Sequence, residues 1–143
     1  MKLRTLTKEA YQRVSQYEQV LKKHNRGYGL AFIETSHHTF AIPLRSNLNH
    51  PNGFKTVLDR ETRSWNGLDY SKALVVQEAD LSTTAFKPRD GREYDKIQKN
   101  KDKIKAEFIE YLDEYMQAVR SQQPLDRKFK FTTLQYFHQD LGL

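Results

Sequence analysis

The sequence contains no cysteine, one tryptophan, four prolines and six glycines, and nowhere an apolar run long enough to span a bilayer. Without cysteine there are no disulfides, thiolate nucleophiles or Cys-containing zinc motifs, which fits a reducing compartment and leaves His and carboxylates as the strong metal ligands. A spanning helix needs roughly 20 apolar residues. The opening Met1-Lys2-Leu3-Arg4-Thr5 has no apolar stretch after its charges, so a cytoplasmic protein with no membrane partner is expected. There are no repeats, linkers or low-complexity tracts. The 143 residues are read as one domain, 1–143, around one core.

What is present is charge and aromatic area. Twenty-four Lys and Arg against eighteen Asp and Glu give a net charge of +6, which favours polyanionic partners through counterion release and steering. Mean hydropathy is −0.85, polar for a globular chain. Hydrophobic residues still make up 37%, enough to drive folding. Eight Tyr and eight Phe supply core rings and rings able to stack on unpaired bases.

Periodicity predicts α+β architecture with a mostly antiparallel sheet. Leu3–Leu6 reads as a strand, and Thr7 as the cap of a helix from Lys8 to Lys23 with apolar face Ala10, Val14, Tyr17 and Leu21. Gly29–Thr35 and Thr39–Leu44 form a hairpin. Pro43 cannot donate to a ladder, which places the second strand at an edge or ends it there. Phe54–Leu58 and Lys72–Gln77 are further strands, joined through a turn at Trp65-Asn66-Gly67. Asp90 and Glu93 have capping-box spacing ahead of a long helix, about 92–121. Its inward face is Tyr94, Ile97, Ile104, Phe108, Tyr111, Leu112, Tyr115 and Val119. The tail from Phe131 reads as a strand end, a Thr cap and a short helix stopped by Gly142.

No pair among His24, His37, His38, His50 and His138 has zincin spacing, the carboxylates do not cluster for two-metal chemistry, and no phosphate loop is present; no cofactor is expected. A donor-rich loop does stand out. Arg45-Ser46-Asn47 follows Pro43-Leu44, with His50 and Lys55-Thr56 beyond it and Arg26-Gly27-Tyr28 ahead of the hairpin. Metal-free RNA cleavage needs a base for the 2′-hydroxyl proton, an acid for the leaving 5′-oxygen, and groups that take up charge building on phosphate. Arg26, Arg45 and Lys55 are suited to phosphate, Ser46 to donating a hydrogen bond to it, and His50 to proton exchange. Tyr28, His37, His38, Asn47, Thr56 and Lys72 are candidate RNA contacts. Lys96, Lys99 and Lys103 line one helix flank, and Lys101 projects toward the apolar side, where a cation must snorkel. A solvated turn and a solvated lysine face are the plain alternatives for each of these residues taken singly.

Taken together, Phe40-Ala41-Ile42-Pro43-Leu44-Arg45-Ser46, Gly67-Leu68-Asp69-Tyr70-Ser71-Lys72-Ala73, the long helix, and Phe131-Thr132-Thr133-Leu134 to Asp140-Leu141-Gly142 resemble the RNase toxins of type III toxin–antitoxin systems. These are the ToxN/AbiQ toxins with their CptN and TenpN relatives. The resemblance implies a compact, strongly bent antiparallel sheet packed with helices, similar to the Kid/MazF toxin core. It further implies metal-independent cleavage of mRNA and of a repeat antitoxin RNA precursor, leaving a 2′,3′-cyclic phosphate and a 5′-hydroxyl. The implied partner is the folded noncoding RNA, a pseudoknot that inhibits the toxin in a closed protein–RNA hetero-oligomer. Within the family pattern Arg45 takes a Thr place, Ser46 keeps the Ser, and Leu48 stands where a Lys falls, with Lys55 or His50 as its replacement. Arg26 is the counterpart of a basic residue ahead of the first hairpin strand, and Asp69 and Lys72 match the later motif. Leu48→Ala is accordingly not expected to act as a site mutation.

Overall fold

The computed structural model describes residues 1–22 and 29–143. Its strands are β1 (Leu3–Leu6), β2 (Leu30–Glu34), β3 (Thr39–Arg45), β4 (Gly53–Asp59), β5 (Ser64–Asp69), β6 (Leu74–Val76) and β7 (Leu81–Ala85). They form one seven-stranded sheet in the order β4-β5-β3-β2-β1-β7, with β6 also on β3, and the pairings are antiparallel. The α+β class and the β2–β3 hairpin are as the periodicity predicts.

The axis of the sheet is β3, whose Phe40 to Leu44 are all buried, the continuous apolar run expected of a strand covered on both faces. One side of β3 pairs with β2 over its first five residues. The other side pairs first with β6 through Thr39–Ala41 and then with β5 through Leu44 and Arg45. Pro43 therefore lies in a central strand, not at an edge. Leu44 donates its N–H to Gly29 on the β2 side at 2.8 Å, and neighbouring amides in a strand point to opposite sides. The missing Pro43 N–H thus faces the gap between β6 and β5, where no ladder bond is required.

Several boundaries differ from the sequence expectation for identifiable reasons. Helix α1 spans Lys8–Val14 and is capped by Thr7 as expected, but it stops at Ser15, whose hydroxyl donates back to Gln12 O at 3.2 Å. Three-residue turns follow, and Tyr17 is exposed. Trp65-Asn66-Gly67 is strand, because the reversal comes earlier: Asp59 Oδ1 accepts from the N–H groups of Glu61 and Thr62 at 3.0 and 3.4 Å, and Arg63 takes the left-handed φ of 54°. Residues 70–72 form a 3-10 turn, so the strand expected from Lys72 begins only at Leu74. Strand β7 is a further element, pairing with β1.

The long helix is two helices, α2 (Gly91–Lys99) and α3 (Lys101–Arg120). Asn100, at φ −114° and ψ 19°, leaves the helical region while its side-chain amide bonds Lys96 O at 2.8 Å, the local competition with backbone that Asn is prone to. Asp90 caps α2 at the Arg92 N–H, but Glu93 turns inward to accept from the Thr56 hydroxyl, tying α2 to β4. Ile97, Ile104, Phe108, Tyr111, Leu112 and Tyr115 are buried as expected; Tyr94 is exposed. The Phe108 ring packs against Phe40 at 5.1 Å, joining α3 to the sheet. Phe131 belongs to a turn, not a strand, and Thr132 caps a 3-10 turn over Thr133–Phe137 that leads into α4 (His138–Leu141), ended by Gly142 at φ 71°. Among the described residues no helix is long and apolar enough to cross a membrane.

Candidate functional site

Strand register assembles the site. Arg45 on β3 pairs with Gly67 on β5, which pairs with Lys55 on β4, and cross-strand partners share a face. The adjacent row, Leu44, Leu68 and Phe54, is buried in the core. Arg45 and Lys55 therefore stand on the other face with a glycine between them. Leu48 fills the space over that glycine. A Cβ on Gly67 would come within 2.7 Å of Leu48 Cδ2, and one on Gly53 within 2.8 Å of the same atom. Leu48 donates its N–H to Trp65 O at 2.7 Å and is 2% exposed, so it fastens the 46–52 loop onto the sheet. Asn47 supports this turn with a φ of 54°, a conformation Asn tolerates.

The fastened loop brings His50 to Asp69, the last residue of β5, whose carboxylate is fully buried. Asp69 Oδ2 accepts from Arg45 Nη1 at 3.0 Å and lies 3.1 Å from His50 Nε2; Oδ1 accepts from the Ser71 N–H at 3.0 Å and the Ser71 hydroxyl at 2.5 Å. Burial alone pushes the Asp69 pKa up, but the hydrogen bonds from His50, Ser71 and Arg45, together with the charge of His50, outweigh it and hold the carboxyl below its ordinary value. His50 Nδ1 accepts from the Asn52 N–H at 3.1 Å, so its Nε2 carries the proton directed at Asp69. The cluster is an anionic hub holding a guanidinium and an imidazole at the surface. Arg45 also donates through Nε to Ser46 O at 3.2 Å, and the Ser46 side chain is exposed. Lys55 is exposed, with Nζ 6.0 Å from the centre of the Trp65 ring.

The structure thus gathers Arg45, Ser46, Asn47, His50 and Lys55 on and around one sheet face. Other expected contacts are placed elsewhere. Thr56 is 3% exposed, its hydroxyl committed to Asn66 O and Glu93, because it alternates with Lys55 and points inward. Lys72 donates to Gln19 Oε1 at 3.1 Å and Phe131 O at 2.7 Å, fastening the tail; its pKa is lowered, chiefly by burial and also by Arg45, against the raising effect of nearby Asp69. His37 and His38 occupy the β2–β3 turn, at the opposite end of β3 from Arg45, with His38 Nε2 2.7 Å from Asp140 O. Lys96 is bound to Thr56 O at 3.1 Å and lies over the rings of Phe54 and Trp65, so it does not belong to a free lysine flank. Lys99 and Lys103 are exposed on α2 and α3, on either side of the break at Asn100. Lys101 is also exposed, not directed at the apolar side; with Lys2, Arg4 and Lys105 it borders a separate groove of about 460 Å³. Arg26 and Tyr28 lie outside the described residues.

Sequence reading missed the tail's contribution. Asn49, His50, Asn52 and Ser71 line a cleft of about 830 Å³ whose far side is Arg127, Lys128 and Thr132. Asp69, which matches the family's later motif, also organises the site, and its Asp-Tyr-Ser spacing signals the local cap.

This is an α+β protein in which a folded-back loop and a buried carboxylate hold a guanidinium and an imidazole at the surface, the imidazole bordering an open cleft. No protein-family model matches the chain, and no curated protein sequence does. Its fold is shared with the solved structure of a bacterial antiviral system regulated by a processed non-coding RNA, with a TM-score of 0.65 over 96% of this chain and 98% of that one, at 15% identity. That structure is of the ToxN/AbiQ toxin–antitoxin type, the family the sequence motifs resemble, and the match establishes the common fold.

Proposed function

We propose that residues 1–143 form one toxin domain, a sequence-selective, metal-independent endoribonuclease that cuts mRNA and its own repeat antitoxin RNA precursor and is inhibited by the folded RNA. The observation that carries this reading is the Arg45–Asp69–His50 cluster, a buried carboxylate that holds a guanidinium and an imidazole at the surface, with Ser46 exposed next along the chain, Lys55 exposed on the same sheet face and His50 on the wall of an open cleft. Arg45, Ser46 and Lys55 bind the non-bridging phosphate oxygens as charge accumulates on them. His50 takes the 2′-hydroxyl proton through Nδ1 once the Asn52 N–H gives way to substrate, and Asp69 then stabilises the imidazolium. The attacking 2′-oxygen displaces the 5′-oxygen, which takes a proton from the Lys55 ammonium, giving a cyclic phosphate and a 5′-hydroxyl.

Regulation of the structural neighbour by a processed non-coding RNA supports an RNA partner here; its folding as a pseudoknot held in a protein–RNA assembly rests on the family resemblance. Kinship of the antiparallel sheet with the Kid/MazF core rests on the family resemblance of the sequence motifs. Purified protein is expected to cut single-stranded RNA in EDTA with 2′,3′-cyclic phosphate ends, and Ser46→Ala and Arg45→Ala to lose cutting while remaining folded. Intact RNA after long incubation, or cutting only with added metal, refutes the mechanism. A non-catalytic RNA-binding module is the second reading, favoured by the fact that both ring nitrogens of His50 are engaged. Tight, salt-sensitive binding without cleavage would establish it.

A further inference from the structure

Phe131 is 55% exposed, more than any other large hydrophobic side chain among the described residues, although its surroundings are fixed. Phe129, Thr132 and Thr133 are buried at 5%, 1% and 0% exposure. The Thr132 hydroxyl donates to Ser71 O at 2.8 Å, Thr133 donates to Ala73 O, and the Lys72 ammonium donates to Phe131 O itself at 2.7 Å. An apolar ring held out by this many anchors is already ordered, so a partner would meet little conformational cost in using it. The ring borders the same cleft as His50, Arg127 and Lys128. Lys130 lies on it with Nζ 5.6 Å from the ring centre.

We infer that Phe131 is a base-stacking platform: an unpaired nucleobase of the RNA stacks on its ring while Arg127 and Lys130 attract the flanking phosphates, the Lys128 ammonium being paired with Glu114. This deepens the proposed function and rests on its RNA partner, but not on cleavage. The cations make a polyanion the occupant that fits the cleft, and the aromatic face selects a polyanion carrying exposed bases over one that is only charged. Lys72 fixes the platform's backbone near Ser71 and hence near Asp69. The register of the substrate along the cleft is then set by which base occupies Phe131, a positioning role separate from the reacting atoms.

The test uses a fluorescent single-stranded 2′-fluoro oligonucleotide of mixed sequence, which lacks the attacking hydroxyl and so reports binding alone. Phe131→Ala is expected to bind about 5- to 150-fold more weakly, the loss typical of one stacked base. Phe131→Trp should restore affinity and Phe131→Leu should not. A 2-aminopurine placed at successive positions should be quenched at one of them by the wild type and at none by Phe131→Ala. Equal binding by wild type and Phe131→Ala, or rescue by Leu as good as by Trp, overturns the inference. So does concentration-dependent self-association lost in Phe131→Ala with RNA binding unchanged, which would make the ring a protein contact. If the wild type cuts natural RNA but binds independently of Phe131, the platform fails and the nuclease stands. If stacking is seen but natural RNA is never cut, the nuclease fails and the platform stands.

Discussion

Asp69→Asn reaches the centre of the proposed site with a change of one atom type. Wild-type Asp69 is fully buried and receives four hydrogen bonds, two on each carboxylate oxygen. An Asn in the same pose keeps an oxygen for Ser71 and turns an amide N–H₂ toward Arg45 Nη1 and His50 Nε2, donor against donor. Two bonds to a charged acceptor would contribute about 3–6 kcal/mol at 1.5–3 each. The Arg45 and His50 side chains are 27% and 28% exposed, so water recovers part of the loss. A net cost of about 3 kcal/mol remains. For a chain of this length that is a fall in Tm of roughly 10 °C. The pH dependence is also fixed in sign. Because the folded-state pKa is depressed, the stabilisation is complete above the unfolded value near 3.9 and is lost as pH falls through the lower folded value. Urea unfolding of both proteins should therefore give a gap that is present at neutral pH and closes below about pH 4. A gap under about 1 kcal/mol at neutral pH, or one that widens on acidification, would refute the account of the hub.

Three further outcomes follow from the geometry. Leu48→Ala should cost about 2–4 kcal/mol in urea unfolding and also slow RNA cutting, because it unfastens the loop carrying His50; this reverses the expectation from sequence, and wild-type stability would contradict it. Gly67→Ala should cost about 1–3 kcal/mol, since its Cβ meets Leu48 and the Phe54 carbonyl, and a neutral result would show that the loop is not seated as described. The combined change Lys99→Glu, Lys101→Glu and Lys103→Glu should weaken inhibition by folded antitoxin RNA more than it weakens cutting, while Lys96→Met leaves inhibition near wild type because its ammonium is already held by Thr56 O. Salt-dependent competition assays check this pair, and equal effects on both activities would mean one continuous RNA surface.

What could be read from sequence was local chemistry. Thr7 and Asp90 are recognisable as caps, and the β2–β3 hairpin follows from its apolar runs and polar turn, because each signal lies within a few residues of its effect. Where two local readings compete, sequence can choose the wrong one. Asn66-Gly67 has turn chemistry, yet Asp59 makes the turn sooner, and Gly67 is small because Leu48 must lie on it from 19 positions upstream. The long helix failed likewise at Asn100, whose side chain had a nearby carbonyl to bind and no sequence break to announce it.

The two oxygens of Asp69 show why the site was only half legible. Oδ1 serves Ser71 two residues away, and that Asp-x-Ser spacing can be recognised as a cap without any structure. Oδ2 serves Arg45 and His50, 24 and 19 residues distant, and they meet only because β3 pairs with β5 and Leu48 draws the intervening loop down. Arg45, Ser46, His50 and Lys55 could therefore be listed from their chemistry, but their organiser could not. A guanidinium beside a sheet interior needs an anion, and no local signal links Asp69 to Arg45 across 24 positions. Placing both duties on one buried carboxylate couples the fold of the 69–73 segment, and through Ser71 the latched tail with Phe131, to the orientation of Arg45 and His50. Substrate contacts on the tail and charge stabilisation on the loop consequently share one mechanical support, and damage to it should be felt on both sides of the cleft at once.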